Sequence, residues 1–584
     1  MKKRPFFPLC GVLLTLLAAA ACTSGADGAD GAEARFTRFA YAGCDARFER
    51  SFDPANEYLN PVLSGFHPDP SICRKGEDYF LVNSSFTFYP SIPIFHSRDL
   101  VHWRQIGFVL NRPSQVPLDS LRFNRAIYAP DISYNPHNDT FYVVNTCVDG
   151  IENFVVKCRD PFAGEWSDPI PLPEVEGIDP SFFFDDDGKA YLCHNGMPPA
   201  ERQWNSHRAL WMREYDTAND RVTGEPVLLL DGGIDFASRP EWLEGPHIYK
   251  KEGRYYLLAA EGGTYENHSQ VVLRADHVKG PYLPYSGNPI LTQRDLPAER
   301  PDKVTSTGHA DLVETPGGEW YCLFLGCRPY ADDFYLTGRE TFLLPVRWRE
   351  GWPLILERGE AVPTVVRKPG LELPGEGEGE AKAEYATGNF RWETDFSEGL
   401  DFRWLMLRTP RTRWWSTGEK GKNGHKGLTL TDNGHTLYET ANPAFVGYRQ
   451  KHTSFEVETE LLFRPGEGKF AGLALFQNER HHMLFGKARR SGRTELLLIR
   501  TEKEPEIVAS WPLEPGEERQ PVTLRIVCRG GTCDFTARTK TAEHTCTGVD
   551  VHHLSTHTAR GFNGVIAGLY TGGFAPAEEA EEAK

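Results

Sequence analysis

A chain of 584 residues with 64 Lys and Arg against 81 Asp and Glu has a formal charge of −17, which argues against a nucleic-acid partner, because phosphate binding needs a basic surface. Apolar residues at 40% are too many for a disordered chain. Aromatics at 12%, with 55 Gly, 42 Pro and only 5 Met, point to turn-rich β structure rather than helical bundles. No segment beyond the N-terminus reads as a long apolar span, so a multi-pass membrane protein is excluded.

Lys2, Lys3 and Arg4 precede an apolar stretch from Pro5 to Ala21. It is short for a membrane span and ends in Ala19-Ala20-Ala21-Cys22. Small residues directly before a cysteine resemble the bacterial lipoprotein signal, which implies that Cys22 is lipidated and becomes the mature N-terminus. Ala19 stands where Leu is usual, and an ordinary secretory signal cut after Ala-x-Ala is the alternative. Either way the chain is expected to be exported, as a periplasmic or cell-surface protein. Residues 23–43 then read as a flexible tether.

Next comes a repeat. A polar start, an apolar strand, a turn with Gly, Asp or Asn and an aromatic strand recur five times, with second strands beginning near Tyr79, Phe141, Ala190, Tyr255 and Trp320. Each copy is a β-hairpin by its turn chemistry. A hairpin plus two outer strands every ~50–65 residues predicts four-stranded propeller blades. Five copies predict a five-bladed β-propeller over residues 44–367.

In a propeller the first strand of every blade lines the central channel, so residues starting those strands converge on one rim. They are Asp69, Asp131 or its neighbours, Asp179, Glu244 and His309. Three acids share a local setting: Asp69-Pro70, Asp179-Pro180 and Glu244-Gly245-Pro246. A single Asp-Pro is a turn former. Three such acids in a toroidal repeat repel one another and raise their own pKa values, which structure alone has no reason to keep.

These segments resemble glycoside hydrolase family 43. The resemblance rests on Asn60-Pro61-Val62-Leu63-Ser64-Gly65-Phe66-His67-Pro68-Asp69-Pro70-Ser71, Gly177-Ile178-Asp179-Pro180-Ser181, Glu244-Gly245-Pro246-His247-Ile248-Tyr249, Gly308-His309-Ala310-Asp311 and Gly338-Arg339-Glu340-Thr341-Phe342. It implies that Asp69 is the general base, that Glu244 is the general acid and that Asp179 orients the acid and raises its pKa. It also implies that Arg339 hydrogen-bonds the sugar and that His309 lies beneath the site near a bound cation, commonly calcium. No cofactor is required for the chemistry itself. Acetal hydrolysis needs a proton on the leaving oxygen and an activated water behind the ring, which two carboxyls about 6.5–9.5 Å apart supply with inversion. Phe86, in Phe86-Thr87-Phe88-Tyr89-Pro90, resembles the aromatic wall of the sugar pocket, with core packing as its other reading. Tyr128 stands where the family usually carries Trp.

Residues 368–387 read as a Pro, Gly and Glu-rich linker. Alternating strands resume over 388–575 and predict a β-sandwich. It resembles the concanavalin-like module of β-xylosidases in this family through Leu400-Asp401-Phe402-Arg403-Trp404 and Gly447-Tyr448-Arg449-Gln450-Lys451-His452. In that branch the module narrows the pocket, and Phe562 is a candidate intruding side chain. Trp414-Trp415 reads as packing before sugar platform, and His481-His482 as surface. Cys528 and Cys533 flank a hairpin turn and are expected to form a disulfide, with Cys546 as a competitor. Residues 576–584 read as a disordered tail.

The expected activity is release of xylose or arabinose from the non-reducing ends of plant oligosaccharides. Xylosidase and arabinofuranosidase are not separable at this level. A non-catalytic glycan-binding lipoprotein and an endo-arabinanase are the alternatives.

Overall fold

The computed structural model describes residues 31–370, 387–418 and 426–574. Cys22, the leader, most of the linker and the 576–584 tail lie outside the described residues.

The five expected blades form five antiparallel sheets. Their inner strands are Ser71–Lys75, Asp131–Asn135, Ser181–Phe184, Glu244–Lys251 and Thr305–Glu314. Each is hydrogen-bonded to an apolar second strand such as Thr140–Val148, whose Tyr142-Val143-Val144 run favours a pleated, buried conformation. The inner strands touch in ring order and surround the axis. Closure uses the pair Glu57–Leu59 with Val365–Arg367. Beside it the Asn60 side chain imitates a strand, accepting from Leu343 N at 3.0 Å and donating to Leu343 O at 2.9 Å.

Two eight-stranded sheets make the C-terminal sandwich. The Cys528–Cys533 disulfide joins facing positions of one hairpin there, and Cys546 is free. The 23–43 tether needs correction over its second half. Glu33–Gly43 is an eleven-residue strand inside the sandwich, paired with Leu428–Thr431 and Ser454–Leu462. Phe36, Phe39 and Tyr41 are its reason: all three are buried in the core between the sheets. Among the described residues the chain therefore runs from the sandwich through the propeller and back to the sandwich.

Two features lock the domains together. Phe88–Tyr89, from the first blade's loop, extends the second sandwich sheet by pairing with Trp404–Leu407. Arg328, fully buried, donates to Glu340 Oε2 at 2.6 Å, to Asp45 Oδ2 at 2.9 Å and to Lys451 O at 2.9 Å. Asp45 in turn accepts from Thr453 Oγ1 at 2.7 Å and Ser454 N at 2.6 Å. That network ties the fifth blade to the sandwich directly behind Arg339.

Candidate active site

Asp69, Asp179 and His309 occupy the same place in blades one, three and five, two residues before equivalent inner-strand positions. All three have left-handed backbone, with φ of 49°, 53° and 50°. Such a turn aims the side chain across the channel mouth at a cost of order 1 kcal/mol or more for a non-glycine residue. In blade four that place belongs to Gly245, with φ 57°. A Cβ there would stand 3.1 Å from the His309 ring, so glycine serves both the backbone and the close approach. Glu244 therefore enters from one residue earlier. In blade two the place belongs to Ala129. Asp131, expected at the rim, is the first paired residue of its strand, as Ser71 and Ser181 are, and lies one layer deeper.

Asp69, Asp179, Glu244 and His309 line one pocket of about 580 Å³. Arg339 Nη1 donates to Asp69 Oδ1 at 2.8 Å, and Nη2 lies 3.4 Å from Oδ2. Ser84 Oγ donates to Asp69 Oδ2 at 2.5 Å. Arg339 Nη1 also reaches Thr264 Oγ1 at 3.0 Å. Asp179 Oδ2 accepts from Gly245 N at 3.2 Å and lies 3.4 Å from His309 Nε2.

The charges sort these groups. Loss of hydration raises Glu244 most, the Asp179 charge adds to it, and Asp69 adds less; together they lift its carboxyl to about 8. Burial would lower the His309 imidazole, but the hydrogen bond and charge of Asp179, backed by Asp69 and Glu244, prevail and raise it to about 9. At neutral pH the site thus holds a protonated carboxyl beside an imidazolium. Among the described residues no group of three metal-ligand side chains includes His309; the one such group is Asp131, His247 and Asp311. His309 therefore offers a cation one imidazole rather than a cage of three such side chains.

The wall is aromatic and comes from both domains. Phe562, from the sandwich, stacks on Phe86 at 5.6 Å between centroids and meets Tyr128 edge-on at 5.9 Å. The Arg339 guanidinium sits 5.3 Å from the Phe562 ring and 5.8 Å from Phe86. Phe562 N donates to Asn124 Oδ1 at 3.0 Å. Gly338, with φ 74°, passes so close to the sandwich that a Cβ would stand 2.7 Å from Gly564 N. Phe86 both lines the pocket and joins the core between the domains.

Sequence reasoning missed Ser84, Thr264, Arg208 and Trp242. The first two sit in no motif and reach the site only by folding. Trp242, two residues before Glu244, is a large aromatic left 37% exposed, with the Arg208 guanidinium 4.1 Å from its ring centroid. Trp414 is sandwich core, bonded through Nε1 to Asn442 Oδ1 at 2.7 Å. His482 is not on the surface. It is fully buried, which pushes its imidazole down to about 3.

Known proteins resemble this chain in sequence and in fold. Residues 58–353 match the profile of "Glycosyl hydrolases family 43", and residues 393–582 match "Beta xylosidase C-terminal Concanavalin A-like domain". A xylosidase/arabinosidase of Butyrivibrio fibrisolvens is 39% identical over 73% of this chain and 78% of its own. A non-reducing end α-L-arabinofuranosidase of Bacteroides ovatus is 32% identical over 88% of this chain and 91% of its own. A crystal structure described as a GH43_12 from a capybara gut metagenome superposes with a TM-score of 0.84 at 38% identity, covering 92% of this chain and 99% of that one. The chain belongs to glycosyl hydrolase family 43.

Proposed function

We propose that this enzyme removes single terminal β-D-xylosyl or α-L-arabinofuranosyl units from oligosaccharides, with inversion at the anomeric carbon. The observation that carries the reading is the Glu244 carboxyl, raised to about 8 and sharing a pocket with an Arg339-clamped Asp69. Glu244 holds its proton at neutral pH and gives it to the leaving oxygen. Asp69, fixed by hydrogen bonds from Arg339 and Ser84, takes a proton from the water that attacks the opposite face. Asp179 keeps Glu244 protonated by its charge and is itself fixed by Gly245 N and His309. Arg339 keeps donors for a sugar hydroxyl, and the Phe86, Tyr128 and Phe562 wall packs on the apolar ring face. A wall contributed by the sandwich favours exo action, since it closes one end of the pocket to a continuing chain.

The test is product analysis on xylo- and arabino-oligosaccharides with proton NMR at early times. Free pentose in the inverted anomeric form is expected. Oligomeric products or retained configuration would overturn the reading. We further propose export as a lipoprotein with the membrane touched only through lipidated Cys22, supported by the Ala19-Ala20-Ala21-Cys22 pattern. Fatty-acid labelling that persists in Cys22→Ser would refute that.

A further inference from the structure

The second strands of blades one, two and three each lead to a polar residue at one shared place. Ser84, Thr146 and Asn195 stand two residues beyond Val82, Val144 and Cys193, the partners of Ser71, Asp131 and Ser181. Counted from the partners of His247 and Asp311, the same place in blades four and five holds Ala260 and Leu325. Ser84 Oγ bonds Asp69 directly. Thr146 Oγ1 donates to Asn153 Oδ1 at 2.6 Å, and Asn153 Nδ2 donates to Gly177 O at 3.1 Å. Asn195 reaches further, into the next blade. We propose that Asn195 is a positioning residue that fixes the spacing between Asp179 and Glu244. The proposal deepens the glycosidase reading and rests on Glu244 being its acid.

Three observations carry it. First, Asn195 closes a ring. Its backbone N donates to Ile178 O at 3.0 Å, and its Nδ2 donates to Leu243 O at 2.5 Å. Ile178 immediately precedes Asp179, and Leu243 immediately precedes Glu244. On the far side Gly245 N donates to Asp179 Oδ2 at 3.2 Å. Three hydrogen bonds and two short chain segments thus form a closed loop with both acids on it. A carbonyl only accepts, so Leu243 O also decides which way the carboxamide faces.

Second, the approach is tight. Gly177 has φ 84°, and a Cβ there would stand 1.9 Å from Asn195 O. The segment entering Asp179 is pressed flat on the Asn195 backbone, where only glycine fits.

Third, Asn195 is 2% exposed and lines the pocket together with both acids. A buried carboxamide is costly unless hydrogen-bonded. Ala260 and Leu325 show that the blade itself needs no amide at this place.

The link has work to do. Asp179 is the charge that raises Glu244 most, and two like charges push apart. Glu244 also faces Asp69, His309 and Arg339, with Arg208 near it. A ring tied at Ile178 and Leu243 resists the widening that repulsion favours. Without the tie the gap opens and water enters, and both changes ease the proton off Glu244.

The test compares Asn195→Ala with the wild-type chain on two substrates over the alkaline limb. One is an unactivated pentose oligosaccharide that the enzyme cleaves. The other is the dinitrophenyl glycoside of the same pentose, whose phenolate leaves without a proton. On the oligosaccharide kcat should fall about tenfold or more, with KM changed less than about threefold. The limb should move down by about half a pH unit or more. On the dinitrophenyl glycoside kcat/KM should change less than about threefold. An unmoved limb, or equal losses on both substrates, overturns the proposal and leaves Asn195 as blade support only. Should Asn195→Ala fail to fold, Asn195→Ser with an intact circular dichroism spectrum takes its place, since its shorter hydroxyl stops short of Leu243 O. Glu244→Gln run alongside separates the two failures. If it keeps the wild-type limb on the oligosaccharide, Glu244 is not the acid and the reading falls with the proposal. If it loses the limb while Asn195→Ala leaves it in place, the proposal alone falls.

Discussion

The floor and the wall of the pocket are built in opposite ways. The floor, made of Asp69, Asp179, Glu244 and His309, comes from one domain. Propeller symmetry obliges these residues to meet, whatever lies beyond the rim. The wall needs two domains, because Phe86 and Tyr128 come from blades and Phe562 from the sandwich. The floor spends backbone strain at three left-handed residues to aim charged groups, and the wall does so at Phe86 alone, with φ 48°. The wall relies on packing and on the buried Arg328 network behind it. On the proposed reading chemistry is thus separated from selection, and each half can be broken alone.

Breaking the floor has the largest expected effect. We predict that Asp69→Asn and Glu244→Gln each lower kcat by about 10²–10⁴-fold with KM changed far less. The pH profile sharpens the assignment. On the proposed reading Glu244 acts while protonated, so kcat/KM should fall as pH rises through about 8. Asp179→Asn removes the neighbouring charge that helps raise Glu244, so this alkaline limb should move to lower pH. A limb unmoved in Asp179→Asn would assign it to another group.

Next is the joint between floor and wall. Arg328→Met leaves Asp45 and Glu340 buried without their cation, and such a loss costs about 3–5 kcal/mol. Urea unfolding should show it, and kcat/KM should drop with it, since Arg339 and Glu340 are neighbours in one strand-start turn. Stability lost with activity intact would mean that the wall holds its shape without the network.

How far the site was readable follows the same division. Asp69, Asp179 and Glu244 were visible because each announces itself locally, by an acid just before Pro or Gly-Pro in a repeat. The register within that repeat was harder. Ala129-Pro130-Asp131 carries an acid on the wrong side of its Pro, and only strand pairing shows that Asp131 aligns with Ser71. Contacts between remote segments left no local mark: Ser84 on Asp69, Thr264 on Arg339, Asn124 on Phe562. The Glu33–Gly43 strand was hidden by its neighbours, because an acidic, Gly-rich run precedes Phe36, Phe39 and Tyr41 and masks a short apolar alternation.

Phe562→Ala tests the wall without touching the floor. It removes a ring stacked on Phe86 and beneath Arg339, so we predict about tenfold lower kcat/KM on pentosides, mostly through KM. The alkaline limb should stay where it is, because Phe562 carries no charge. A limb displaced in Phe562→Ala would mean that the wall sets the dielectric around Glu244, and the two halves would no longer be separable.

The smallest effect should come from the pocket mouth. Trp242 is part-exposed, stacked by Arg208, and flanked in the lining by the exposed Tyr265 and Met197. Exposed aromatics at a sugar pocket offer a flat apolar face to the unit beyond the scissile bond, and one such contact contributes about 0.5–1.5 kcal/mol. Trp242→Ala should therefore raise KM for xylotriose about two- to tenfold. Xylosyl fluoride has no sugar on the leaving side, so its kcat/KM should change less than twofold. Equal losses on both substrates would mean that Trp242 supports Glu244, two residues away, instead of the departing sugar. The comparison between the substrates decides, because misplacing the acid must slow both, while losing a platform slows only the substrate that reaches it.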